Sequence, residues 1–211
     1  MTATAQRRDR QRTALVAAAE RAIAEKGPAG LKARDLAAEI GCALGAIYNL
    51  VQDMDELVLR VGSRTLGRLD AALAAVAAEG EPRDREAAVA RLVAIAIAYH
   101  GFARDNPRLW RTLFEYRLAE DAEIPDWAVA DQLQLFRHIM APLALVLPQA
   151  DAAALSLLGR TLFSAVHGVV ALGLEDRLVG VPRADIDRQI EALVRLVCAG
   201  LAAGGDGTPL P

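Results

Sequence analysis

The sequence has 211 residues, of which 54% are hydrophobic, and a formal net charge of −3. This apolar content excludes a disordered protein, because it is ample for a buried core. Two cysteines, Cys42 and Cys198, exclude a disulfide framework and a cysteine metal cluster. The negative charge excludes wholesale coating of nucleic acid. Because no signal peptide and no apolar run of ~20 residues is visible, we expect a soluble, cytoplasmic protein.

Charge is unevenly distributed along the chain. Residues 1–34 carry eight lysines and arginines against three acids, whereas the whole chain has 24 basic and 27 acidic residues. A basic end on an acidic body is typical of a protein that contacts phosphates with one end only. Residues 1–12 contain four arginines. They form either a solvated, disordered tail or an arm that lies along the DNA backbone or enters the minor groove.

The rest of the chain is predicted to form helices, because its apolar content is rich in alanine and recurs at helical spacing. The predicted helices span residues 13–26, 33–40, 44–50, 53–78, 85–104, a short segment from Pro107, 126–146, 151–174, and 183 to the glycines at 204–205. Asp53 with Glu56 predicts a capping box, and Asn106 and Asp151 predict helix caps. Pro142 predicts a kink or break. Residues 206–211 are predicted to be disordered.

Residues 33–51 have the pattern of a helix-turn-helix. Leu36 and Ile40 fall on one face of a first helix, and Ile47 falls on the inner face of a second. Gly41 stands between them, where a sharp turn often requires the left-handed backbone that glycine adopts at little cost. Two short helices joined in this way place the second helix in the major groove of DNA.

Ten residues around this stretch have the spacing of a known DNA-binding domain: Leu31, Arg34, Leu36, Ala37, Ile40, Gly41, Ile47, Tyr48, Val51 and Leu57. The stretch resembles the head of the TetR/AcrR family of one-component bacterial regulators. The resemblance covers about the first quarter of the chain. Residues 163–169 also resemble a "His-Gly" segment in the C-terminal domain of one TetR subgroup.

The resemblance implies an all-α chain of two domains. Residues 1–52 would form a three-helix, homeodomain-like head with a basic N-terminal arm. Residues 53–205 would form a helical bundle that binds a ligand and dimerises, followed by the disordered tail. Family members dimerise through their last two long helices as a four-helix bundle, so we expect 151–174 and 183–204 to pair with a second copy. The alternative is that both are core helices of a monomer.

DNA binding requires phosphate anchors. By resemblance, Lys32 and Arg34 reach the DNA backbone, unless they are only solvated surface charges. Arg7 and Arg8 would act in the same way if the N-terminal residues form an arm. Tyr48 would donate its hydroxyl to a phosphate, brace the second helix, or do both.

Base readers are expected on the outward face of the second helix. Asn49 either reads an adenine or solvates the helix end, and Leu44 and Ala46 are suited to thymine methyl groups. Gly45 permits a close approach of the backbone to DNA. The complete predicted set is Arg7, Arg8, Lys32, Arg34, Ala43, Leu44, Gly45, Ala46, Tyr48 and Asn49. The segment departs from the family pattern, because residues 42–51 contain no lysine or arginine and Met54 replaces a phosphate-gripping lysine.

A ligand site is expected in the middle helices, where most of the few aromatic residues lie. Such residues are often plain core, but their concentration between residues 99 and 136 favours a mostly apolar site with one or two polar groups. The predicted lining is Tyr99, Phe102, Trp110, Phe114, Trp127, Phe136, Phe163 and His167. A hydrophobic or aromatic small molecule would move the helix after Asp53, spread the two heads and lower operator affinity.

Enzyme motifs are absent from the sequence: no Gly-rich phosphate loop, no Gly-x-Ser-x-Gly and no His-Glu-x-x-His is present. His100 and His138 would bind a metal only if they converged in space. We expect no enzyme, no cofactor and no bound metal. The predicted function is a dimeric transcriptional regulator, most simply a repressor released from a palindromic operator by its ligand. The alternative is a helical ligand-binding or carrier protein with weak or no specific DNA binding.

Overall fold

The computed structural model describes residues 3–78, 80–120, 123–175 and 179–204. These ranges are helical and contain no β-strand, which confirms the all-α prediction. The predicted tail at 206–211 lies outside the described residues. The helices are α1 (Ala3–Lys26), α2 (Ala33–Glu39), α3 (Leu44–Ile47), α4 (Met54–Ala77), α5 (Arg85–Asp105), α6 (Pro107–Glu115), α7 (Asp126–Leu135), α8 (Arg137–Val146), α9 (Ala152–Gly173) and α10 (Ile186–Gly204).

The internal contacts divide the chain into two compact units. The first comprises Met1–Arg68 and Asp105–Asp131, and the second comprises Leu69–Arg104 and Gln132–Pro211. Packing therefore returns α6 to the unit that contains the head, although α6 lies far along the chain. The predicted domain boundary between residues 52 and 53 remains a prediction.

The core of the first unit is built from the apolar faces of its helices. α1 contributes Leu15, Ala18, Ala19 and Ile23, which are fully buried. Burial of such an apolar stripe stabilises a short helix more than its intrinsic propensity does. The same core contains Leu36, Ala37, Ile47, Leu50, Val51, Leu57, Val58, Val61 and Leu109.

The first helix begins much earlier than predicted. α1 starts at Ala3 rather than near Thr13, so residues 3–12 are helical instead of a disordered tail, and the DNA-contacting arm stays a prediction. Once residues 13–26 are helical, each further residue gains a hydrogen bond without a new nucleation cost. The extension is also made of alanine, glutamine and arginine, which favour helix. Arg12 and Asp9 form an ion pair within it, at 2.8 Å.

The predicted capping box at the start of α4 is confirmed in its first half. The Asp53 carboxylate accepts a hydrogen bond from the Glu56 backbone N–H at 2.7 Å. Glu56 returns a bond to the N–H of Gln52, one residue before the cap. At the start of α6 the prediction was wrong, because the Asn106 side chain makes no cap bond. It accepts a charge-assisted bond from Arg68 instead, and such bonds are stronger than neutral ones.

The helix predicted over residues 126–146 is broken, but not at Pro142. α7 ends at Leu135, α8 begins at Arg137, and Pro142 lies inside α8. A proline ring crowds the carbonyl four residues earlier, here that of His138, so its distortion falls on the preceding turn. Phe136 lies at the junction of the two helices, and its carbonyl accepts bonds from the N–H groups of both Ile139 and Met140.

The last two helices of the second unit pack against each other. Asp151 caps α9 as predicted, accepting a bond from the Ala154 N–H at 2.8 Å. α5 and α9 are long and apolar enough to cross a membrane by length and composition alone, a criterion that core helices of soluble proteins also meet. The most apolar stretch of α9 is only 22% buried, against 56% for that of α5. α9 therefore leaves much apolar surface uncovered in a single chain.

Candidate DNA-binding site

The turn of the helix-turn-helix depends on Gly41. Its φ of 68° lies in the left-handed region that side chains rarely adopt. The next N–H, that of Cys42, bonds to the Ala37 carbonyl at 2.9 Å and closes the end of α2. Cys42 packs, partly buried, against the core. This is the turn that the sequence predicted.

The helix after the turn is shorter than predicted. α3 covers only Leu44–Ile47, and residues 48–50 continue as tight turns. The Asn49 N–H bonds to the Ala46 carbonyl three residues earlier, at 3.1 Å. Such bonds tighten the last turn of a helix. Here they rotate Leu50 and Val51 into the core, where both are buried.

The predicted base readers lie together on the outer side of this segment. Ile47 is fully buried and anchors α3. Leu44 and Tyr48 are 43% and 52% exposed, unusually high for large apolar and aromatic side chains. Ala43, Gly45 and Asn49 are also exposed, and Ala46 is partly buried. Residues 43–49 therefore present an uncharged, exposed surface.

Several arginines of the first unit are already paired with acids. Arg64 and Arg68 both bind Glu20, each at 2.9 Å, and Arg60 binds Glu56 at 2.6 Å. Arg21 binds Glu39. By contrast, no acid within the described ranges pairs with the predicted phosphate anchors. These cations are exposed and are Arg7, Arg8, Lys32 and Arg34.

Four of the predicted ligand residues form one cluster in the second unit. The Tyr99 hydroxyl and His167 Nδ1 are 2.7 Å apart. The Phe163 ring lies 5.5 Å from that of Tyr99, 5.8 Å from that of His167 and 5.7 Å from that of Phe136. Burial lowers the pKa of His167, so its ring is neutral at pH 7. Phe102 is buried on α5 in the same unit.

The other predicted ligand residues belong to the first unit. Trp110 is buried and its ring centroid lies 5.4 Å from that of Phe114, which is 44% exposed. The Arg60 guanidinium lies 5.2 Å from the Trp127 ring centroid. The predicted ligand residues thus fall into two groups, one in each unit, and the sequence did not predict this division.

The two histidines considered as metal ligands bind different carboxylates. His100 Nδ1 is 2.7 Å from Asp187, and His138 Nε2 is 2.8 Å from Asp70. Both histidine side chains are buried, at 6% and 7% exposure. Each therefore joins two helices of the second unit: α5 to α10, and α8 to α4.

Two protein-family models match the chain. A model of the bacterial regulatory proteins of the tetR family matches residues 15–61. A model of the tetracyclin repressor-like C-terminal domain matches residues 92–197, which is half of the chain. The chain belongs to the TetR family. It is therefore a DNA-binding transcriptional regulator, of a family whose members are generally not enzymes and typically bind ligands and act as dimers. Membership of the "His-Gly" subgroup stays a prediction.

Solved structures resemble this TetR-family chain over most of its length. A protein of unknown function from Rhodococcus sp. RHA1 is 26% identical, with a TM-score of 0.71, covering 91% of this chain and 95% of that one. A TetR-family regulator from Streptomyces coelicolor is 18% identical (TM-score 0.63; 91% and 83% covered). The regulator PfmR from Thermus thermophilus is 19% identical (TM-score 0.57; 89% and 98% covered). The last two show the fold alone. No curated protein matches the sequence.

The two acids that flank Met54 have structural partners. Asp53 caps α4, as described above. Asp55 accepts bonds from the Ala119 backbone N–H at 3.0 Å and from the Tyr116 hydroxyl at 2.6 Å. These two bonds hold the pKa of Asp55 below its usual range. Burial, and then the bond to Asp55, raise the pKa of Tyr116 to about 12. The sequence did not predict these partners, which lie more than sixty residues away.

A Tyr116→Phe variant is expected to lose about 1 kcal/mol of stability near neutral pH, because Asp55 loses a hydrogen-bond donor. A depressed carboxyl pKa stabilises the fold above the unfolded pKa and is lost on acidification. A raised phenol pKa stabilises below pH 10 and is lost as the pH rises toward 12. The difference between wild type and variant should therefore be constant from about pH 5 to 9 and shrink at both ends. Denaturant unfolding across this range measures it; a difference independent of pH would contradict it.

Proposed function

We propose that the protein is a homodimeric repressor that binds a palindromic operator and is released from it by a hydrophobic ligand. The observation that carries the proposal is the exposed, uncharged surface of α3, presented behind the Gly41 turn in a TetR-family head. Large side chains such as Leu44 and Tyr48 are exposed there without a partner in the core. Base edges and thymine methyl groups in the major groove would cover them.

We assign Ala43, Leu44, Gly45, Ala46 and Asn49 to base contacts, and the Tyr48 hydroxyl to a phosphate. Lys32 and Arg34 flank the start of α2 and are exposed, so they are suited to anchor the phosphate backbone. Arg7 and Arg8 are assigned to the backbone as well. Because α3 itself has no cation, sequence discrimination and electrostatic affinity would come from different elements.

Dimerisation is proposed through α9 and α10. Leu157, Leu172 and Leu196 are 62%, 50% and 72% exposed on these two helices. Around Gly168 and Gly200 a Cβ atom would meet nothing within 4 Å, so a partner helix could approach both positions closely. Apolar stripes on two packed helices, interrupted by small residues, suit a four-helix bundle between two copies. Such a two-fold dimer requires a palindromic operator.

The ligand is proposed to bind against Tyr99, Phe136, Phe163 and His167. Three aromatic rings favour an aromatic or otherwise apolar molecule, and the neutral His167 with Tyr99 supplies a polar pair that can orient it. Phe102 belongs to the same unit and remains a further candidate for the lining.

Asp70 provides a physical link from this cluster to α4. The residue after Phe136, Arg137, binds Asp70 at 2.7 Å, and the next, His138, binds it at 2.8 Å. A ligand that displaces the Phe136 ring would therefore move the two residues that hold α4. Since α4 directly follows the head in the chain, a shift of α4 would change the affinity for the operator.

The test is selection of random duplex DNA by the purified, ligand-free protein, followed by sequencing. Enrichment of a palindrome with half-sites about one helical turn apart would support the repressor. Failure to enrich any motif at low salt, by protein shown to be folded, would reject operator binding by the ligand-free protein. It would favour the helical carrier, the second candidate, which the absence of lysine and arginine from residues 42–51 keeps open.

A further inference from the structure

The first ten residues of α1 precede the part of the helix that packs into the core of the head. The first fully buried residue of α1 is Leu15. Arg7 lies eight residues earlier, which corresponds to about 12 Å along a helix. Arg7, Arg8 and Arg10 are exposed. This segment, residues 3–12, is called the α1 extension below.

The α1 extension combines a first turn without acids with three exposed arginines. The N-terminal end of a helix is stabilised by acids and destabilised by cations. The first turn of α1 contains no acid, and Arg7 and Arg8 follow in the second turn. Only Arg12 is paired, with Asp9; for Arg7, Arg8 and Arg10 no acid partner exists within the described ranges. A polyanion such as duplex DNA would supply the negative charge that these arginines lack.

The last residue of the α1 extension, Arg12, is close enough to the start of α4 to influence Glu56. Burial raises the pKa of Glu56, but the bonds from Gln52 and Arg60 and the charges of Arg60 and Arg12 lower it overall. Arg12 is therefore close to the N-terminus of α4. Residues 44–49, the proposed base-reading segment, end only a few residues before that point. The last residue of the extension thus lies near the segment that joins the proposed base-reading residues to α4.

We propose that the α1 extension is a rigid phosphate clamp for duplex DNA, in which Arg7, Arg8 and Arg10 contact backbone next to the bases that α3 reads. This inference rests on the proposed function and assigns its electrostatic affinity to one element. An α-helix is about 10–12 Å wide, whereas the minor groove of B-DNA is about 6 Å wide. The extension therefore lies across phosphates and supplies affinity without sequence information.

The test compares three full-length variants with wild type. R7Q/R8Q/R10Q removes the charges. R7K/R8K/R10K keeps them. Gln11→Pro keeps every arginine but ends the helix, because proline is tolerated as the first residue of a helix and not in its interior. Residues after 11 then stay helical. Binding to a random 30-base-pair duplex and to the selected operator is measured by fluorescence anisotropy from about 50 to 300 mM salt.

The glutamine variant is expected to bind both DNAs more weakly by the same factor. The ratio of operator affinity to random-duplex affinity should therefore be unchanged. With six arginines in a dimer and about 0.9 of slope per phosphate, the salt dependence should flatten by about five units. The lysine variant should keep the wild-type slope. Gln11→Pro should behave like the glutamine variant. An R83Q/R117Q variant, which removes exposed arginines elsewhere, should bind like wild type.

Three results would overturn the proposal. An unchanged slope in the glutamine variant, with operator binding intact, rejects the clamp and leaves the repressor standing. Wild-type binding by Gln11→Pro rejects the rigid helix, because flexible charges then suffice. A lowered operator-to-random ratio in the glutamine variant shows that these arginines read sequence. If wild-type protein binds neither DNA, the proposed function fails and the clamp with it.

Discussion

A Leu196→Glu variant is expected to be monomeric at concentrations where wild type is dimeric. Leu196 is 72% exposed on α10 in a single chain, so in the proposed bundle it would be covered only by the partner. Burying a leucine contributes at least about 1.5 kcal/mol to the free energy of dimerisation. In a two-fold dimer the substitution is present in both copies, so this contribution is lost twice. The loss of about 3 kcal/mol raises the dimer Kd about a hundredfold, and a buried carboxylate adds to it. Light scattering after size exclusion measures the mass.

The variant should keep its thermal stability as a folded chain, because Leu196 makes little contact within its own subunit. It should also lose most operator affinity, since one head alone contacts one half-site. Ile124→Glu is the matched control: Ile124 is 52% exposed but belongs to the first unit, so this variant should remain a dimer. A dimeric Leu196→Glu protein would place the interface elsewhere.

A Gly45→Ala variant is expected to be at least as stable as wild type and to bind its operator about tenfold or more weakly. Gly45 has no positive φ, and a Cβ there would meet nothing within 4 Å. The protein itself therefore does not require glycine inside α3, where alanine favours the helix by up to about 1 kcal/mol. If DNA lies against this position, the added methyl group creates a misfit comparable to a wrong base pair, about 1–3 kcal/mol.

Gly67→Ala provides the control, because Gly67 also lies in a helix and its Cβ would also meet nothing within 4 Å. It should gain stability without a change in DNA affinity. Thermal unfolding and anisotropy with the selected operator separate the two effects. A Gly45→Ala protein with undiminished operator affinity would show that DNA does not approach α3 at this residue.

The sequence by itself determined the features that depend on neighbours along the chain. The Gly41 turn, the Asp53 and Asp151 caps and the buried faces of α1, α2 and α3 arise from residues within a few positions of one another. Local backbone geometry and helical periodicity are enough to predict them. The same local information identified the helix-turn-helix, and the family models confirm the TetR family that it suggested.

Tertiary structure decided what depends on residues far apart in the sequence. Asp55 accepts a hydrogen bond from Tyr116. The Asn106 side chain binds Arg68 of another helix instead of capping its own, because the charged partner forms the stronger bond. The aromatic residues, which form one group along the chain, fall into two units. The exposure of Leu196 could not be predicted either, because periodicity marks an apolar face but not whether its cover comes from the same chain. Packing alone distinguishes a core helix from one whose partner is a second copy.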